Sequence, residues 1–115
     1  MSDFLYLYRL PANSLSAPDS PHQMQERLKK WTAWLTELDA KGHVKNRGNP
    51  LASGGAVVTD KKGAVNDGPY AESKDIIMGY TVIEAKDLAQ ASKLAAGCPV
   101  LETGGVVEVR PIHQM

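Results

Sequence analysis

The chain has 115 residues, with 13 basic and 13 acidic side chains, 43% apolar residues and one cysteine. That length fits one domain, residues 1–115, large enough to bury a core without disulfide or metal. Balanced charge supplies no field to draw nucleic acid or an anionic membrane, and no apolar run approaches the roughly 20 residues of a membrane span. The opening MSDFLYLYRLP lacks the basic leader and the apolar length of a signal peptide. Cys98 is the lone cysteine, so a reducing cytoplasm is the expected location.

In chain order, Phe4 to Leu10 reads as an aromatic-rich strand halted by Pro11. Leu5 and Leu7 point to one side, and Phe4, Tyr6 and Tyr8 to the other. Apolar on both sides, this strand belongs in the middle of a covered sheet. After a loop, Ser20, Pro21 and Gln23 compose a capping box. Met24, Leu28, Trp31, Leu35 and Leu38 then form one stripe of a long helix that Gly42 ends. HVKNRGNP is a polar connector. LASGGAVVT reads as a second strand, with Gly54-Gly55 marking a bulge or a close backbone approach, and DKKG turns it into a hairpin with Ala64-Val65. Ile76 to Ala85 is rich in β-branched residues and forms a strand. Asp87 caps a second helix ended by Gly97 and Pro99, and VVEVRPI closes the chain as a strand. The order strand, helix, strand, strand, helix, strand predicts an α+β, ferredoxin-like βαββαβ fold: one antiparallel sheet with both helices on one face.

Two helices cover one side of such a sheet. Assigning Leu5, Leu7, Ile77, Ile83, Val107 and Val109 to the helix side leaves Phe4, Tyr6, Tyr8, Met78, Tyr80 and Val82 bare. Four rings would expose roughly 600 Å², the upper limit for the largest apolar patch on a monomer. The expectation is a homodimer whose sheets meet face to face in an isologous interface. Glu84, Glu108 and Arg110 fall on the same bare side. They either line a wet chamber fit for a small molecule or form ordinary ion pairs at the sheet rim.

The stretch DGPYAESKDIIMGYTVIEA, with LAAGCP and the closing GGVVEVRPI, resembles the YCII-related family, in the branch named for its Asp-Gly-Pro-Phe motif. Here that motif reads Asp67-Gly68-Pro69-Tyr70. The resemblance implies a dimeric α/β barrel with no established activity and no cofactor. It also implies a His-Asp pair suggested for the wider family, and a regulatory association with extracytoplasmic-function sigma factors for some relatives. The position of the family's histidine is met by His22, while that of its aspartate reads Cys98-Pro99.

Asp67 ahead of Gly68-Pro69 has a turn-forming role in its own right. The functional alternative places it at the chamber mouth as a general base or polar anchor. As candidate site residues the sequence thus offers Asp67 and His22 for acid-base work, and Tyr6, Tyr8, Tyr70, Glu72, Tyr80 and Arg110 for binding. Cys98 follows a helix C-terminus, whose dipole opposes a thiolate, and reads as a small buried hydrophobe. His22, His43 and His113 have no partners at metal-ligand spacing, so no metal site is expected. An acid-base enzyme without cofactor, a non-catalytic sensing or partner-binding module, and a dimer without ligand all remain open.

Overall fold

The computed structural model describes residues 1–11, 20–52, 54–63, 65–68 and 75–114, with the backbone alone for 65–68. Strands β1 (Ser2–Pro11), β2 (Val44–Asn46), β5 (Asp75–Ala85) and β6 (Val106–Pro111) form an antiparallel sheet in the order β2-β5-β1-β6. Helices α1 (Pro21–Ala40) and α2 (Leu88–Ala95) provide the cover, and a 3-10 turn at Pro99–Thr103 leads into β6. This is the ferredoxin-like arrangement that the element order predicts. Strands β3 (Gly55–Val58) and β4 (Val65–Gly68) pair with each other as a separate ribbon.

The caps explain where α1 starts and stops. Ser20 Oγ accepts from Gln23 N while Gln23 Oε1 accepts from Ser20 N, a complete capping box with Pro21 in the first turn. At the other end Gly42 has φ +80°. There Gly42 N donates to Asp39 O and His43 N to Leu38 O, the paired bonds of a Schellman motif. α2 is capped by Asp87, whose carboxylate accepts from Gln90 N; the Gln90 side chain reaches back to Lys86 N.

The structure departs from several expectations. The second strand of the sheet is Val44–Asn46, inside the stretch expected to be a polar connector, whereas 55–58 belongs to the ribbon. A three-residue edge strand carrying Lys45 is too short to show alternation, and short, charged edges are how sheets avoid pairing with other chains. The close backbone approach expected at Gly54-Gly55 lies instead at Gly48, where an added Cβ would fall 1.8 Å from Tyr80 O, and at Gly105, 2.6 Å from Arg9 O. Gly54 and Gly55 have open space around them and serve the turn through φ of +90° and +147°.

The larger correction concerns which side of β1 the helices cover. Phe4, Tyr6 and Tyr8 are buried beneath them, in one core with Trp34, Leu38, Ile83, Ala85, Ala91, Ala95, Cys98 and Val100. Leu5 and Leu7, expected in that core, are half-buried on the opposite face. Rings need space, and the facing surface is made of small residues: Gly79 and Ala85 on β5, Ala91 and Ala95 on α2. The tyrosine hydroxyls also find acceptors there. Tyr6 donates to Ala91 O, and Tyr8 donates at 2.7 Å to Thr81 Oγ1, which itself donates at 2.9 Å to Arg47 O. Tyr8 meets Trp31 edge-on at 4.6 Å, and Tyr6 stacks on Trp34 at 6.1 Å.

Of the predicted α1 stripe, Trp31, Leu35 and Leu38 pack inward with Trp34, but Met24 is 61% and Leu28 66% exposed. The first half of the helix therefore extends beyond the core.

Candidate functional site

Because neither helix covers it, the other face of the sheet carries the candidate site. Strand register fixes its layout. On β1 the outward residues are Asp3, Leu5, Leu7 and Arg9. On β5 Glu84 stands opposite Asp3, Val82 opposite Leu5, and Tyr80 opposite Leu7. On β6 Arg110 stands opposite Leu5 and Glu108 opposite Leu7. A bulge takes up Met78, so that Ile77, expected under the helices, pairs with Arg9. Leu5, Leu7, Tyr80 and Val82 thus compose a half-buried apolar quartet with ions along two sides.

Those ions are ordered by their own pairs. Arg9 Nη1 lies 2.8 Å from Glu108 Oε1, and Arg110 Nη1 lies 3.3 Å from Glu108 Oε2. Two guanidinium groups share one carboxylate. At the opposite corner Asp3 and Glu84 face each other across the strands, a like-charge pairing that disfavours the sheet unless a cation intervenes. Lys45 is that cation, 2.6 Å from Asp3 Oδ2. Its hydrogen bond to Asp3, and then the charges of Asp3 and Glu84, hold its pKa up.

A family model described as the YCII-related domain matches residues 5–115. The chain belongs to the YCII-related domain family. No curated protein is significantly similar to it. The match runs from β1 to the C-terminal residues and takes in every strand of the open face.

Within this YCII-related chain the predicted site residues are dispersed. Tyr80 and Arg110 lie on the open face. Tyr6 and Tyr8 do not reach it: they are placed on the helix side, with both hydroxyls engaged in the core. His22 sits exposed in the first turn of α1. Asp67 lies on β4 opposite Ala56, where the backbone alone is described, and Tyr70 and Glu72 lie outside the described residues. Arg9, Asp3 and Lys45 complete the charged border and were not singled out by sequence. Alternation already tied Arg9 to Leu7, but that set was assigned beneath the helices.

Among the described residues no group of three or more His, Cys, Asp and Glu is placed to hold a metal ion, and no helix is long and apolar enough to cross a membrane. Burial pushes the Cys98 thiol up to about 12 from 9.0, and burial likewise raises the phenols of Tyr6 and Tyr8. These groups are neutral packing elements at ordinary pH.

Their pKa values in the fold exceed those of the unfolded chain, so their contribution to stability is complete below about pH 9 and declines as pH rises beyond it. Each group that ionises only on unfolding steepens the decline by about 1.4 kcal/mol per pH unit. Urea midpoints are therefore expected to fall from pH 9 to 11, and Cys98→Ala to remove the part that begins earliest. A flat profile over that range would contradict the burial of all three.

Proposed function

We propose that two copies of this YCII-related chain pair through their helix-free faces as a dimeric α/β barrel in the cytoplasm, and that the space between the sheets holds a small polar-aromatic molecule. The observation that carries this reading is the half-buried quartet of Leu5, Leu7, Tyr80 and Val82, bordered by the Arg9–Glu108–Arg110 ions. Apolar surface in that position is worth about 25 cal/mol per Å² when removed from water. The paired ions supply fixed donors and acceptors for a ligand's polar atoms. The Asp67-Gly68-Pro69-Tyr70 motif supports placing the chain in the family's Asp-Gly-Pro-Phe branch, with Asp67, Tyr70 and Glu72 as candidates for the chamber mouth and Asp67 and His22 as candidates for acid-base work.

Ligand binding or sensing, as in a regulatory module beside a sigma factor, suits this face better than cofactor-free catalysis. Its carboxylates Asp3 and Glu108 are tied into ion pairs, and the thiol and two of the phenols lie in the core. A base free to take a proton would have to come from Glu84, Asp67 or His22.

Leu5→Glu tests the assembly. On β1 residue 5 stands opposite Arg110, so the new carboxylate has a partner within its own chain and the fold is expected to persist. In the dimer it would place extra charge within the apolar contact, at a cost of several kcal/mol. Light scattering at micromolar concentration should read a dimer for the parent chain and a monomer for L5E. A monomeric parent would end the proposal. Native mass spectrometry of the parent is expected to retain a small molecule that L5E loses, and a dimer that carries none would leave only the assembly.

A further inference from the structure

The open side of β1 reads Asp3, Leu5, Leu7, Arg9: acidic at one end, basic at the other, apolar between. Reversed, the same row is basic, apolar, apolar and acidic, its own complement. The neighbouring β6 row behaves alike, since Arg110 lies level with Leu5 and Glu108 level with Leu7. Surplus charge follows the same division. Lys45 pairs with Asp3 while Glu84 stands opposite Asp3, which leaves a negative corner, and Arg9 and Arg110 share Glu108, which leaves a positive one.

We infer that in the face-to-face dimer a second copy of this chain docks with its β1 running opposite to that of the first, about a two-fold axis that crosses β1 between Leu5 and Leu7. This rests on the dimer proposed above and adds its orientation. Asp3 and Arg9, six residues apart on one strand, are separated by about 20 Å, so an axis midway brings each level with the other's counterpart. Asp3 then comes level with the partner's Arg9, Arg110 with the partner's Glu108, and Leu5 with the partner's Leu7 across the space assigned to the ligand. The other simple two-fold, along β1, would set Asp3 on Asp3 and Arg9 on Arg9, and would press Arg110 and Glu108 onto Val82 and Tyr80. Like-charge juxtaposition of that kind is what interfaces select against. Isologous symmetry forms each contact twice, which doubles the discrimination. The pairs within each chain, Asp3 with Lys45 and Arg9 with Glu108, hold the ions in place before docking.

Two single variants, Asp3→Lys and Arg9→Glu, decide the matter by sedimentation and native mass spectrometry. Each alone is expected to self-associate at least ~30-fold more weakly than the parent. In the first, the new ammonium at position 3 would face the partner's Arg9; in the second, the new carboxylate at position 9 would face the partner's Asp3. Mixed in equal amounts, they should form a heterodimer of near-parental affinity, recognised by its intermediate mass. Should either chain fail to fold alone, Asp3→Asn or Arg9→Gln replaces it, with about fivefold weakening expected. Single variants that dimerise like the parent, as an axis along β1 requires, would overturn the orientation. So would a mixture that stays monomeric. A parent chain that is itself monomeric would instead remove the dimer on which the orientation rests.

Discussion

Trp34→Ala is expected to lower the free energy of unfolding by about 3–5 kcal/mol, the range for truncating a buried tryptophan. Trp34 is 8% exposed and joins α1 to β1 and α2. Its ring stacks on Tyr6, meets Tyr8 edge-on at 6.2 Å and Trp31 at 5.8 Å. The indole N–H donates to Leu94 O at 3.4 Å, a long bond of modest worth. Behind it Gly97 leaves no slack, since a Cβ there would come 3.1 Å from Nε1. The surrounding groups are a strand, two helices and small side chains, which cannot close the cavity without moving backbone. Since a domain of this size commands about 5–15 kcal/mol in all, the variant should unfold at a much lower urea concentration. Trp31→Ala, at a half-buried position on the same helix, should cost clearly less. Equal, small losses at both positions would mean that α1 is not seated on β1.

Gly48→Ala is the second large effect, and it acts through the backbone. Gly48 has φ +69°, where an L side chain costs about 1–2 kcal/mol. The added Cβ would also lie 1.8 Å from Tyr80 O and 2.9 Å from the Tyr80 ring. That clash involves the carbonyl of a central strand, so β5 or the 47–52 segment must shift. The segment is held by Thr81 Oγ1 donating to Arg47 O, by Leu51 N donating to Met78 O and by a bridge between Pro50 and Gly79. Overpacking of this sort adds about 1–3 kcal/mol, giving roughly 2–5 kcal/mol in all. Gly42→Ala is the matched comparison. It has φ +80° but open space around it, and should show the conformational cost alone. Thermal or urea unfolding of the two variants separates strain from collision. Equal losses would place the Tyr80 carbonyl elsewhere.

The elements that local chemistry specifies were legible in the sequence: the capping box at Ser20, the glycine stop at Gly42, the β-branched run of β5 and the Asp87 cap. The burial of Cys98 and the core role of Trp31 followed from the same reasoning. What could not be read from neighbours in sequence was the side of β1 that faces the helices. Both sides are apolar, and the choice is made by Gly79, Ala85, Ala91 and Ala95, which leave room for rings from more than 70 residues away. The aromatic patch first expected to drive dimerisation is consequently the core of each subunit. β2 escaped notice because three residues give no period. The charged border was half legible: Glu84, Glu108 and Arg110 were placed correctly, whereas Arg9 went the way of Leu7.

The position of β1 also bears on how the chain acquires its fold. This first strand is one of the two inner ones, and its neighbours come late in the chain, with Ser2 beside Ala85 and Phe4 beside Pro111. A ribosome therefore releases β1 long before either flanking strand exists, leaving an aromatic segment unpaired until residues 75–111 have been made. High contact order of this kind slows folding, because wide loops must close before any ladder rewards them. The hydrophobic hazard of this sequence is accordingly greatest in the nascent chain, at Phe4, Tyr6 and Tyr8, the residues most secluded once folding is complete.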